Sequence, residues 1–344
     1  MSKAGGIIIA IDAMGGDRAP RSVIEGLNIA LKKSSNQVSF RIYGHQGKIN
    51  TFLDKFPKLK EVSTVVHTED KVPADMPPAQ ALRTQKNSSM RLAINAIKEG
   101  DAQGVVSCGN TGAYVGMAKF VLGTLKGIKR PAIAALCPTK YDDHDIIMLD
   151  LGANVEAEAG HMVRFALMGK VYAQNILGYE NPSIGLLNNG TEEIKGHDYI
   201  RDAAAQLKGK LNYVGFVEGH SIFERKADVV VADGFTGNVM LKSIEGSFNL
   251  IRSNLKKAFT RNLFTKLGFM MIYPIIKGFK NRFNPARYNG AMFLGINGVV
   301  IKSHGGASPE AFAYAVGVAE NLLARRFNDN IEKEVADFFG SEQE

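Results

Sequence analysis

The residues best suited to chemistry fall in six short clusters, each directly after an apolar run. They are Asp12, Gly15 and Gly16 in DAMGGD; Gly109, Asn110, Thr111 and Gly112 in GNTGA; and Asn154 in LGANVEA. The others are Gly190, Thr191 and Lys195 in NNGTEEIKG; Gly234, Thr236, Gly237 and Asn238 in DGFTGN; and His304, Gly305 and Gly306 in SHGGAS. Glycine lets backbone N–H groups come close to a ligand, and a helix that starts just after such a loop adds partial positive charge. The combination suits an anion, phosphate above all. Gly, Asn and Asp also serve as turn and capping residues, so one loop alone decides nothing, whereas six of a kind do.

Within these loops Lys195 is a compact cation in a glycine-flanked turn, able to contact an anion and offset developing negative charge. Asn238 is a neutral donor or, alternatively, the N-cap of the helix that follows. Asp12 repels an anion unless it orients a lysine or accepts hydrogen bonds. His304 can donate a hydrogen bond, although a lone histidine beside two glycines is more often structural. Arg83 and Lys86, before SSM, are further positive charges near the loops. Cys108 ends the apolar run VVSC and reads as a small packing residue, not a nucleophile.

Other chemistries lack their motifs. The chain has no GxGxxG after a strand, no GxxxxGK[ST] and no GxSxG, so the usual dinucleotide site, a P-loop and a nucleophile elbow find no support. Its histidines lack HExxH or paired-cysteine spacing, so neither a metal nor another cofactor is expected.

The elements that must position these loops alternate apolar runs with helix-period segments, the pattern of βαβ units and a mainly parallel sheet. Strands are expected at 6–11, 38–43, 62–66, 104–108, 132–136, 146–151, 183–187, 212–217, 228–232 and 298–302, and helices at 20–33, 88–99, 111–125, 157–177, 197–207, 237–255 and 309–326. Strand C-termini of a parallel sheet share one edge, so the six loops are expected to converge on one crevice. With 344 residues, 45% hydrophobic and 22% charged, the chain can bury a large core, which excludes wholesale disorder. It reads as one catalytic α/β unit with two lobes and the site in their cleft. Two cysteines are too few for a disulfide framework, and the opening MSKAGGIIIAIDAMGGD lacks signal-peptide features, so a cytosolic protein is expected.

The net charge of +8 is concentrated. Between Glu245 and Glu310 there is no acidic residue, while Arg252, Lys256, Lys257, Arg261, Lys266, Lys277, Lys280, Arg282, Arg287 and Lys302 all fall there. A nucleic-acid-binding face would spread its basic residues more widely, so the asymmetry points to one local anionic partner and no nucleic acid. Residues 255–283, LKKAFTRNLFTKLGFMMIYPIIKGFKNRF, form a basic apolar arm within the unit, with Leu255, Phe259, Leu263, Leu267 and Met271 at helical spacing. Pro274 and flanking lysines make it too interrupted to span a bilayer. Lys256, Lys257, Arg261, Phe269 and Met270 suit an interfacial contact with anionic lipid, with dimer packing and docking of an acidic partner as alternatives.

Taken together, IAIDAMGGDRAP, KNSSM, VSCGNTGA, LDLGANVEA, GLLNNGTEEIKG, VVVADGFTGNVMLKSIEG and LGINGVVIKSHGGAS resemble the PlsX family, the acyl-carrier-protein:phosphate acyltransferases of bacterial phospholipid synthesis, in the family's order across residues 9–308. The resemblance implies a three-layer α/β/α fold like that of isocitrate and isopropylmalate dehydrogenases, also used by phosphate acetyl- and butyryltransferases. It implies formation of an acyl phosphate from a long-chain acyl-acyl-carrier-protein and inorganic phosphate, no cofactor, a homodimer and peripheral contact with the inner face of the membrane. Lys195 and Asn238 are then the catalytic candidates and the remaining loop residues the phosphate and substrate contacts. Phosphate is already an anionic nucleophile and a thioester already activated, so neither a Ser–His–Asp relay nor an acyl-enzyme is needed. The rival readings are a phosphate acyltransferase using short-chain acyl-coenzyme A, a decarboxylating dehydrogenase of similar fold, and a non-catalytic membrane or carrier-protein adaptor.

Overall fold

A computed structural model of the protein describes residues 6–142, 144–282 and 284–340. In chain order the strands are β1 (Ile7–Asp12), β2 (Val38–Gly44), β3 (Ser63–His67), β4 (Gly104–Ser107), β5 (Ala132–Pro138), β6 (Asp145–Leu149), β7 (Ile184–Leu187), β8 (Tyr213–Val217), β9 (Val229–Val231), β10 (Ala291–Leu294) and β11 (Val299–Lys302). They form one sheet in the order β3-β2-β1-β4-β11-β10-β5-β6-β9-β7-β8.

The strands are runs of β-branched and other apolar residues, and alternate side chains serve opposite faces. Ile9 and Ile11 join one core with Leu27, Phe165 and Phe312, while Ala10 joins the other with Met90, Tyr114 and Met117. Ile147 and Leu149 divide from Ile146 and Met148 in the same way. Helices therefore cover both faces, as the expected three-layer α/β/α arrangement requires. On the first face, Arg21–Lys33 buries Val23, Ile24, Leu27 and Ala30 along one stripe and packs on Pro309–Ala324. On the second, Ser88 and Asn110 cap Ser89–Lys98 and Thr111–Leu122 by accepting from Arg91 N and Ala113 N.

All ten expected strands are present. The one not expected is β10, whose AMFL is short and directly follows the basic arm. It pairs antiparallel with both β11 and β5, and β5 pairs antiparallel with β6. Strands β1, β2, β3, β4, β11 and β5 thus run one way, and β10, β6, β9, β7 and β8 the other. This corrects the expectation of a single loop-bearing edge. The loops after β1, β4 and β11 leave one edge of the sheet, and those after β6, β7 and β9 leave the opposite edge.

The basic arm differs from its expected single stripe. One helix runs Gly234–Thr260 and a second runs Leu263–Arg282, with Pro274 inside it. Asn262 starts the second helix, its Oδ1 accepting from Thr265 N at 2.9 Å while Thr265 Oγ1 accepts from Asn262 N at 3.1 Å. The two helices meet through Phe259 and Phe269, whose rings lie 4.9 Å apart. Phe283, the end of the expected arm, lies outside the described residues.

Candidate active site

The loops after β1, β4 and β11 form one cluster. Asp12 is almost fully buried, and its carboxylate accepts from Ser89 Oγ and Ser107 Oγ, each at 2.6 Å, and from Met14 N at 3.2 Å. Ser107 Oγ in turn accepts from Gly109 N at 3.0 Å. Asp12 therefore ties β1 to β4 and to the start of the Ser89–Lys98 helix. Gly16 has φ +96°, and a Cβ there would stand 2.8 Å from both Cys108 Cβ and the Gly305 carbonyl oxygen. Only glycine lets these loops touch, and the Asp17 N–H donates to Gly305 O across the same contact at 2.9 Å.

Asn110 spends its whole amide locally: Oδ1 caps the helix, and Nδ2 donates to Ala74 O at 2.9 Å and Met76 O at 3.0 Å. Thr111 and Gly112 are exposed in the first turn of that helix, where N–H groups lack intrahelical acceptors. His304 is exposed, and its Nδ1 accepts from Gly306 N at 3.1 Å, which leaves Nε2 unspent. Burial pushes the Cys108 thiol up to about 11, so it is protonated at neutral pH and is no nucleophile.

The second cluster is built on Asp150, directly after β6 and fully buried. Oδ1 accepts from the N–H groups of Ile133, Gly152 and Ala153, and Oδ2 accepts from Asn154 N and Nδ2. Burial raises its carboxyl above the ordinary range, with the N–H donors pulling the other way. Asn154 is buried as well, and its Nδ2 also donates to Pro131 O at 2.6 Å. Gly234 N donates to Asn154 O at 2.8 Å. A Cβ on Gly237 would lie 1.9 Å from the Asp150 carbonyl oxygen, so the long helix seats directly on the β6 loop.

Asp233 caps that helix by accepting from Thr236 N at 2.9 Å, and Tyr199 donates to its other oxygen at 3.0 Å. The helix thus begins at Gly234 and not at the expected 237, which removes the capping alternative for Asn238. Asn238 is exposed over Gly152, and its amide makes no hydrogen bond among the described residues. Lys195 comes from the β7 loop, held by Asn188 Nδ2 donating to Lys195 O at 3.0 Å. Its stem lies over Gly190, and its ammonium group is exposed without an ion pair among the described residues. Thr191 is exposed in the same loop. Since β7 and β9 are parallel neighbours, the loops carrying Lys195 and Asn238 leave the same edge of the sheet.

The clusters communicate through the helix Gly234–Thr260, whose Met240, Leu241 and Ile244 pack on the second face of the sheet. Lys242, one turn past Asn238, is close enough to influence Lys302 at the end of β11. Sequence reasoning did not single out Lys302, Ser89, Ser107 or Asp150 as site residues. The signal for Ser107, Asp150 and Lys302 is position at or just after the ends of β4, β6 and β11, whereas Ser89 opens a helix within KNSSM. Among the described residues no three His, Cys, Asp or Glu side chains gather as a metal site.

The chain matches the family described as fatty acid synthesis protein over residues 7–330. It is 50% identical to the phosphate acyltransferase of Rhodospirillum centenum over 95% of this chain and 92% of that one. It is 47% identical to that of Paramagnetospirillum magneticum over 95% and 93%. Among solved structures it superposes on a phosphotransacetylase from Streptococcus pyogenes with TM-score 0.61 at 16% identity, covering 93% of this chain and 94% of that one. The EutD phosphotransacetylase from Staphylococcus aureus gives TM-score 0.56 at 16% identity over 92% and 94%. These two likenesses establish the fold alone. With half its residues shared with a phosphate acyltransferase along nearly its whole length, the chain belongs to the fatty acid synthesis protein family and is an acyltransferase of the PlsX type that its motifs resemble.

Proposed function

We propose that the protein transfers a long-chain fatty acyl group from acyl carrier protein to inorganic phosphate, giving an acyl phosphate for phospholipid synthesis. The observation that carries this reading is an apolar groove along the helix that bears Asn238. Pro138, Phe223, Met240, Ile244, Phe248 and Ile251 line a space of about 500 Å3, whose first residue on that helix, Met240, is two residues beyond Asn238. A groove of that size suits an acyl chain and gives an acetyl group nothing to fill.

In the reaction a phosphate oxygen attacks the thioester carbonyl carbon. A C–O bond forms, the tetrahedral intermediate collapses with cleavage of the C–S bond, and the carrier's thiolate leaves and takes a proton from solvent. The enzyme orients two anionic substrates and stabilises the oxyanion. Asn238 donates to that oxyanion, Lys195 balances its charge, and the N–H groups of Asn110, Thr111, Gly112 and Gly305, which among the described residues are not spent within the loops as those of Gly109 and Gly306 are, hold phosphate oxygens.

The helical hairpin explains the basic charge. Phe264 is 85% exposed, Met271 83% and Met270 70%, beside exposed Lys256, Lys257 and Arg261. Such a surface fits a second copy of the chain, an anionic membrane and an acidic carrier protein. No helix among the described residues is long and apolar enough to cross a membrane. Changing Lys256, Lys257 and Arg261 to Glu is expected to abolish flotation with anionic vesicles, and undiminished flotation removes the lipid contact.

The deciding assay is release of free carrier protein from palmitoyl-acyl-carrier-protein with and without phosphate. Phosphate-dependent release of carrier with a hydroxylamine-reactive product supports the reading. Turnover of acyl-coenzyme A instead transfers the assignment to the short-chain rival, and silence with every donor favours an adaptor.

A further inference from the structure

Lys302 ends β11 with its side chain inside the protein, only 9% exposed. The one hydrogen bond of its ammonium group among the described residues goes to the carbonyl of Ser303, the next residue. No carboxylate lies within ion-pair distance of it among the described residues. Asp12 and Asp17 act on it only from further off, and Asp12 is already engaged by two serines and an N–H. A second cation, Lys242 on the helix Gly234–Thr260, is near enough for its charge to disfavour the Lys302 ammonium. Lys242 itself is exposed and pairs with Glu245 at 2.8 Å.

A buried cation without a counter-ion is costly, and a neighbouring like charge adds to the cost. Burial lowers the Lys302 ammonium to about 8, with Cys108 and Asp12 pulling the other way and Lys242 adding a smaller push down. Cys108 is near enough to act on it, and Cys108 meets Gly16 and Gly305 too closely for any side chain at Gly16. Asn238 precedes Lys242 by four residues and so lies on the same face of their helix. An anion held by Lys302 would also feel the Lys242 charge, which lies one helical turn from Asn238.

We infer that Lys302, assisted by Lys242, is the cationic seat of a substrate phosphate group, and that this seat joins the β11 edge of the sheet to the helix carrying Asn238. The inference rests on the acyl-transfer reading and adds the residue that supplies the missing charge complement. Inorganic phosphate and the phosphodiester of the carrier's prosthetic group share the chemistry, and kinetics separate them.

The test is Lys302→Met in the full-length enzyme, with Lys242→Gln alongside. A charged hydrogen bond lost to Lys302→Met is expected to raise one Michaelis constant about 10- to 100-fold, with a smaller change in kcat. A rise for inorganic phosphate identifies the acceptor, and a rise for palmitoyl-acyl-carrier-protein identifies the prosthetic-group phosphate. The melting temperature should hold or rise, since an unpaired buried charge is removed. A merely structural lysine would instead lower the melting temperature and leave both constants alone. Both constants within twofold of wild type overturn the inference. If Lys302→Met does not fold, Lys242→Gln decides: the same constant must rise at least threefold, and no change overturns it. Thermal stabilisation by inorganic phosphate, present in wild type and lost in Lys302→Met, supports the phosphate seat even where acyl transfer itself is absent, so failure of one reading is distinguishable from failure of the other.

Discussion

The two loop clusters use their polar groups differently. At the edge formed by β1, β4 and β11, Asp12, Ser89, Ser107 and Asn110 hydrogen-bond one another and the backbone, and Lys302 is left with a buried, unbalanced charge. At the opposite edge Asp150 and Asn154 are spent on backbone N–H groups, whereas Lys195 and Asn238 stand exposed and unspent. Every buried polar group must find a partner, so strand-end carboxylates become scaffold. The side chains left free of that duty are the ones available to a substrate.

This contrast breaks first at the free residues. Lys195→Ala and Asn238→Ala should each cost on the order of 100-fold in turnover, about 2.7 kcal/mol, with melting temperatures near wild type. A variant that keeps activity within about twofold removes its residue from the mechanism.

The scaffold residues should behave in the opposite sense, losing stability first. Asp150→Ala orphans N–H groups of Ile133, Gly152, Ala153 and Asn154 and should cost about 3 kcal/mol in denaturant unfolding. Asp12→Ala orphans fewer donors and should cost about 2 kcal/mol. If either unfolds like wild type and loses only turnover, that carboxylate belongs to the chemistry.

A pH titration sharpens the contrast at Lys302. Its ammonium falls from 10.5 to about 8 on folding, so between those values the unfolded chain binds the extra proton and stability rises with pH. The stability advantage of Lys302→Met over wild type should therefore be complete below pH 8 and vanish towards pH 10.5. An advantage independent of pH would mean that the lysine is not strained by burial. The smallest effect is expected from Cys108→Ala, whose activity should stay within about twofold, because a protonated, packed thiol contributes volume alone.

Much of this was legible locally. The apolar runs located the strands, since β-branched residues buried on both faces leave few other conformations. The glycine-rich turns located the loops, and Lys195 and Asn238 stood out as donors within them. The direction of the strands was less visible, although spacing carried a hint. Only six residues separate Pro138 from Asp145, and four separate Leu294 from Val299, too few for the crossover that parallel neighbours need. Both pairs are antiparallel, and that reversal sends the later loops to the opposite edge.

The amino-acid sequence by itself determined the elements, the family and the kinds of residue available for handling phosphate, because periodicity, turn chemistry and motif order are local properties of the chain. Only the tertiary structure decided which polar residues are free and which are spent. Asp12 meets Ser89 and Ser107 across 77 and 95 positions, and Lys302 comes within reach of the Lys242 charge through a helix that starts at the far edge of the sheet. Hydrogen-bond satisfaction and the cost of a buried charge depend on neighbours in space, and the chain brings those neighbours together only once it has folded.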